Sequence, residues 1–251
     1  MPLELICSTS RGTTHATATL TALEALDLGG NGFGIAFARA LAPALHPLTR
    51  LTELLLGCND IGAAGAAALA APLARLTALE VLDLTWKDRR NRSVDALVPA
   101  LRHLSRLKAL RLCSNCVGAA ALVPALAPLT QLEVLDIGDN DLGADGAEAL
   151  TAALRPLPQL KDLCLNGCDV DAAGTAALAR TLAQLTSLES LRFHDNDVGA
   201  TGAKALAPAL GRLSRLTHVR LERRGIPGPQ AELLNRAAAL ARLEDIWKNA
   251  V

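Results

Sequence analysis

Leu20-Thr21-Ala22-Leu23-Glu24-Ala25-Leu26-Asp27-Leu28-Gly29-Gly30-Asn31-Gly32-Phe33 is the stretch that decides how this chain folds. Its skeleton, L-x-x-L-x-x-L-x-L-x-x-N, returns as Leu48, Leu51, Leu54, Leu56 and Asn59. It returns again with leading leucines at Leu76, Leu104, Leu129, Leu157, Leu185 and Leu213. The step is 28 residues each time except from Leu104 to Leu129, where it is 25. Eight copies of one template at so constant a spacing make the chain a tandem array, in which each copy is one supersecondary unit stacked on its neighbours.

Each unit reads as a strand followed by a helix. In Leu26-x-Leu28 the period of two puts both leucines on one face and the residues between them on the other, as in a short β-strand. The second half of the unit has helical spacing: Ala66, Leu69 and Leu73 fall on one stripe of the segment from Ala63 to Leu73. A strand and a helix repeated in parallel cannot bury their apolar faces alone, so the units must stack. Helices are wider than the spacing of about 4.8 Å between strands. The expected fold is therefore an α/β solenoid, a horseshoe with a parallel sheet on the concave face and helices on the convex face. Residues 20–239 form eight units; 1–19 read as a degenerate repeat or cap, and 240–251, with Leu240, Leu243 and Ile246, as a partial repeat or cap.

Composition agrees with thin stacked layers. Hydrophobic residues are 51% of the chain but aromatics only 2%, with no Tyr, so the core is built of Leu and Ala. Lys plus Arg equals Asp plus Glu at 25 each, and no bulk charge asks for nucleic acid or an anionic membrane. The N-terminal residues carry no charged segment followed by an apolar one, and no apolar run approaches the roughly 18 residues of a membrane span. Six cysteines are sparse for a disulfide scaffold of this length, so a cytosolic (cytoplasmic) or nuclear protein with free thiols is expected, and no cofactor is expected.

The full unit, L-x-x-L-x-x-L-x-L-x-x-N followed by an apolar residue and Gly, resembles the leucine-rich-repeat family. The second half, in forms such as Gly143-Ala144-Asp145-Gly146-Ala147-Glu148-Ala149-Leu150, is similar to the ribonuclease-inhibitor-like class over about residues 20–226. That class includes ribonuclease inhibitors, Ran GTPase-activating proteins and the sensing ends of intracellular immune receptors. The resemblance implies a binding module without a catalytic centre, with a small-GTPase regulator or the repeat portion of a larger receptor or scaffold as the alternative. At the turn after each strand stands a column of Asn31, Asn59, Asn115, Asn140 and Asn196, whose buried amides can satisfy backbone groups of their own and neighbouring turns. The resemblance also implies Cys168 in this column, since the class often alternates Asn with Cys there, whereas Lys87 and Arg224 depart from it. Pro43, Pro99, Pro124 and Pro208 each stand five residues before the next leading Leu, so the helices end or kink there.

Three positions per strand face the open side, and the charged ones are the binding candidates. The first three units contribute Asp27, Glu53 and Asp83, and the middle ones Arg111, Asp136 and Asp162. The last two contribute Arg192, His194, His218 and Arg220, with Glu222 the only acid among them. Such a gradient from acid to base could orient a partner protein and speed its docking. Asp83, Arg111 and Asp136 share a column and could instead pair as a ladder, stabilising by about 0.2–1 kcal/mol per pair. Trp86, at the rim, is the residue type favoured at interface hot spots. It opens the irregular basic stretch of the third unit, in which Arg89, Arg90 and Arg92 replace a regular turn. The partner is expected to be another protein, with the chain monomeric or part of a larger one.

Readings as a metal site or enzyme lack the companion groups such chemistry needs. Cys113-Ser114-Asn115-Cys116 is a lone CxxC without the second pair or histidines that zinc needs. Cys164 and His194 fall on adjacent strands as a nucleophile and base would, yet an open sheet offers nothing to exclude water or bind an oxyanion.

Overall fold

The computed structural model describes residues 20–85, 94–115, 118–240 and 246–247. Among the described residues, eight strands alternate with eight α-helices. The strands are β1 (Ala25–Asp27), β2 (Glu53–Leu55), β3 (Val81–Asp83), β4 (Ala109–Arg111), β5 (Val134–Asp136), β6 (Asp162–Cys164), β7 (Ser190–Arg192) and β8 (His218–Arg220). They form one sheet in sequence order, every pair parallel, with each residue opposite its counterpart one unit on: Leu26 faces Leu54, which faces Leu82. The ladder runs on past the short strands, as Gly30 N–H donates to Gly57 O at 2.8 Å.

The alternation read from the sequence appears as burial. The middle residue of every strand, from Leu26 to Val219, is buried, and so is the next leucine position from Leu56 to Leu221. Leu28, in the first unit, is only half-buried against the core. Each fully buried leucine contributes about 1.5–3 kcal/mol, and the units supply them by stacking, since no unit has a core of its own.

The helices are α1 (Ile35–Leu45), α2 (Gly62–Leu73), α3 (Val98–Leu101), α4 (Ala119–Leu126), α5 (Gly143–Leu154), α6 (Ala172–Leu182), α7 (Gly199–Leu210) and α8 (Gly228–Leu240). The three residues missing from the fourth unit come out of α4, which has 8 residues where α5 has 12. The step from Leu126 to Val134 equals that from Leu154 to Asp162, so each helix is pinned at its C-terminal end and gives length from the other. Pro43, Pro124 and Pro208 lie inside α1, α4 and α7, each two residues before the helix ends. Pro99 sits in the first turn of α3, where no helical N–H is lost. At the far end, Leu221 N–H donates to Ile246 O at 2.6 Å and Leu221 pairs with Trp247, a single further rung.

The asparagine column holds the turns together. Asn140 is fully buried; its amide donates to Ile137 O at 2.8 Å in its own unit and to Leu112 O at 3.0 Å in the preceding one. Its carbonyl accepts from Asn115 N–H at 3.0 Å. Asn59 and Asn196 repeat the pattern onto Leu28 O and Leu165 O. Cys168 takes the same role with a thiol, donating to Ile137 O at 3.2 Å. Arg224 stands exposed instead, and Lys87 lies outside the described residues.

Candidate functional site: the open face of the sheet

The residues that flank each buried strand centre form the open face. Register sets them in columns: Asp27, Leu55, Asp83, Arg111, Asp136, Cys164, Arg192 and Arg220 stand side by side at the strand ends. Glu53, Asp162 and His218 belong to the column two residues earlier, and His194 and Glu222 to the one two residues later. All eleven described candidates are thus on one surface. Trp86, the basic stretch at Arg89, Arg90 and Arg92, and Cys116 of the CxxC lie outside the described residues.

The charge ladder expected of Asp83, Arg111 and Asp136 does not form. They are neighbours in register, but no ion pair joins Arg111 to either acid. Each aspartate turns instead to the backbone two residues on. Asp27 accepts from Gly29 N–H at 2.9 Å, Asp83 from Thr85 N–H at 2.8 Å and Asp136 from Gly138 N–H at 3.0 Å. A short acid reaches an amide at this spacing with little loss of side-chain freedom, whereas a guanidinium must hold a long stem still to meet it.

A ladder does exist, one residue before the strands. Glu80 pairs with Lys108 at 2.7 Å and with Arg106 at 3.9 Å, Glu133 pairs with Lys161 at 2.8 Å, and Glu24 with Arg50 at 3.2 Å. The Lys108 hydrogen bond holds the Glu80 carboxyl below its ordinary range, and the Glu133 hydrogen bond raises the Lys161 ammonium. The signal was present in the sequence as a column: Glu24, Thr52, Glu80, Lys108, Glu133, Lys161, Glu189 and Thr217.

On the open face itself the one described ion pair is diagonal. Arg192 Nη2 reaches Asp162 Oδ1 at 3.2 Å and Oδ2 at 3.3 Å across β6 and β7. His194 Nδ1 lies 2.7 Å from Asp195 Oδ2, and His218 Nδ1 2.8 Å from Thr217 Oγ1. Glu53, Arg111, Arg220 and Glu222 are left without an ion pair or side-chain hydrogen bond among the described residues.

The cysteines behave as core. Cys164 is 4% exposed, and burial pushes its thiol up to about 12, far from the thiolate a nucleophile requires. Burial likewise pushes Cys113 up to about 11 and raises Cys168 further. Cys58, Cys113, Cys164 and Cys168 are all unbridged, and no group of three metal-ligating side chains occurs among the described residues. Iodoacetamide at mildly alkaline pH is expected to alkylate half-exposed Cys58 and spare Cys164 and Cys168, as read by peptide mass spectrometry. Alkylation of Cys164 as fast as Cys58 would contradict this account of its burial.

A family model described as Leucine Rich repeat matches residues 48–70, 129–150 and 184–207, within the second, fifth and seventh units. No curated protein matches the chain in sequence. Among solved structures it is similar to a Bacteroides fragilis protein at 15% identity and a TM-score of 0.53, covering 92% of this chain and 67% of that one. It is also similar to leiomodin-1 actin-binding site 2 (17% identity, TM-score 0.49, covering 58% of this chain and 87% of that one). A third likeness is to a tropomodulin C-terminal domain from Caenorhabditis elegans (12%, 0.48, covering 59% and 93%). At 15% identity the Bacteroides fragilis likeness speaks to fold alone. With three units matched in sequence and one parallel strand per unit throughout, the chain is a leucine-rich-repeat protein.

Proposed function

We propose that this chain is a non-catalytic module that binds another protein on the open, concave face of its sheet. The observation that carries the reading is the set of charges the fold leaves unused there: Glu53, Arg111, Arg220 and Glu222. Most of the other charged groups on that face are engaged, the aspartates by backbone amides and Arg192 by Asp162. Unengaged charges in register on a rigid sheet are what electrostatic recognition uses, because their positions are set before the partner arrives. The units of 28 residues with helices of 11–13 residues, as in α1, α6 and α8, support the ribonuclease-inhibitor-like class. The unbridged cysteines support a reducing, cytoplasmic setting. No described helix is long and apolar enough to cross a membrane.

The test is affinity capture from a native lysate with wild type and a Glu53→Lys/Arg111→Glu double variant. Neither side chain holds the fold, so circular dichroism should be unchanged while recovery of the captured proteins falls about tenfold. Equal recovery by both would refute recognition through this face.

A further inference from the structure

The last full unit carries a stripe of positive charge that the fold does not use. Between residues 212 and 224 stand Arg212, Arg215, His218, Arg220, Arg223 and Arg224, with Glu222 the only acid. All six basic side chains are exposed. None makes an ion pair among the described residues, and only His218 makes a side-chain hydrogen bond, to Thr217. The stripe follows the direction of β8, from the turn before it, across the open face, to the turn after it. It is particular to this unit: one repeat earlier the same positions hold Gln184, Ser187, Ser190, Arg192, Asp195 and Asn196.

A second observation points to an anion. Register sets Arg192 directly opposite Arg220 on adjacent strands, and like charges so placed are destabilising. Arg192 leans back to Asp162, which leaves Arg220 facing outward with no counter-charge. A carboxylate seated between the two strands would relieve the repulsion and gain charge-assisted hydrogen bonds.

Resting on the open-face reading above, we infer that the partner's anchor is an acidic polypeptide segment, extended along β8 over this stripe. From Arg215 to Arg224 an extended chain spans at most about 30 Å, the length of roughly nine residues. The stripe is one strand wide, and Asp195 and Asp197 stand on the turn of the neighbouring unit. A narrow row of carboxylates fits that width, whereas the phosphates of a nucleic acid would meet the flanking acids. No Phe or Trp of the described residues stands within the stripe to stack a base.

The experiment is fluorescence anisotropy with a labelled peptide of alternating Glu and Ser, about ten residues long. Controls are the same peptide with Gln or Lys in place of Glu, and an oligothymidylate of equal length. Wild type should bind the Glu peptide at least about tenfold more tightly than either control peptide and than the oligothymidylate. An Arg223→Glu/Arg224→Glu variant should lose about tenfold with unchanged circular dichroism, and Arg180→Glu/Lys204→Glu, exposed on helices α6 and α7 away from the sheet, should bind as wild type. Equal binding of the Gln peptide, or oligothymidylate binding as tight as the Glu peptide, overturns the inference. Failure of the Glu peptide while the Glu53→Lys/Arg111→Glu variant still loses captured proteins overturns the stripe and leaves the open-face reading standing.

Discussion

Replacing the fully buried Asn140 by alanine is expected to cost the fold about 3 kcal/mol, chiefly through its hydrogen bonds. The change strips a hydrogen bond from Ile137 O, Leu112 O and Asn115 N–H, all in the interior of the stack. A buried group left unpaired costs about 1–3 kcal/mol, and partial relaxation keeps the total below the simple sum. Because Leu112 and Asn115 belong to the preceding unit, the loss falls on the coupling between units and should lower the sharpness of unfolding as well as its midpoint. Two companions check the cause. Asn31→Ala should cost well under about 1 kcal/mol, since the exposed Asn31 amide donates only to Leu28 O and Gly29 O. Asn140→Cys should fall between, because Cys168 already does this work with a thiol. Urea unfolding followed by far-UV circular dichroism measures all three, and equal losses for Asn31→Ala and Asn140→Ala would remove the ladder as the explanation.

Gly174→Ala is the second large effect, and its sign is the test. In a helix judged by itself, alanine in place of an interior glycine stabilises by about 0.5–1 kcal/mol. Here the change should destabilise by about 2 kcal/mol. A Cβ at Gly174 in α6 would lie 2.7 Å from Ala147 Cβ in α5 and 3.1 Å from Val170 Cγ1. Ala147 has no rotamer to yield, so the two helices would have to part. Gly65 and Gly202 are similarly crowded, Gly65 by Ile61 and by Ala38 Cβ of α1 at 2.9 Å, and Gly202 by Thr175 Cβ of α6 at 2.8 Å. Gly211 is the control: its φ of −62° suits any residue, and a Cβ there meets nothing closer than 3.8 Å. Gly211→Ala should therefore be neutral or stabilise by about 0.5 kcal/mol. The same substitution would then raise the urea midpoint at one site and lower it at the other. Parallel shifts would show that helix spacing does not depend on these glycines.

The repeat makes most of the architecture legible in the sequence. A period of 28 residues with leucines at fixed offsets leaves one way to bury them, so the strand positions, the parallel register and the open-face columns follow from Leu20 to Phe33 and their copies. The asparagine column was equally legible, because Asn140 and its counterparts are polar residues that recur at positions surrounded by core. The candidate site was legible only as a set of addresses. Counting charges along the chain made Asp27 and Asp83 acids of the binding face, while their geometry shows each with an oxygen committed to a backbone amide.

The order of residues thus sets the stacking of eight strand–helix units and the side of the sheet on which each residue stands. Those follow from periodicity, which is a property of the order of residues alone. The tertiary structure decided which of two nearby partners each polar group takes. Asp136 had Arg111 beside it in register and Gly138 N–H two residues on, and the nearer amide won. Glu80 and Lys108 found each other in a column one residue away, at 2.7 Å, with Arg106 the more distant partner at 3.9 Å. The crowding at Gly174 and the burial of Cys164 were decided there too, since contacts between successive units depend on distances of a few tenths of an ångström that no repeat spacing encodes.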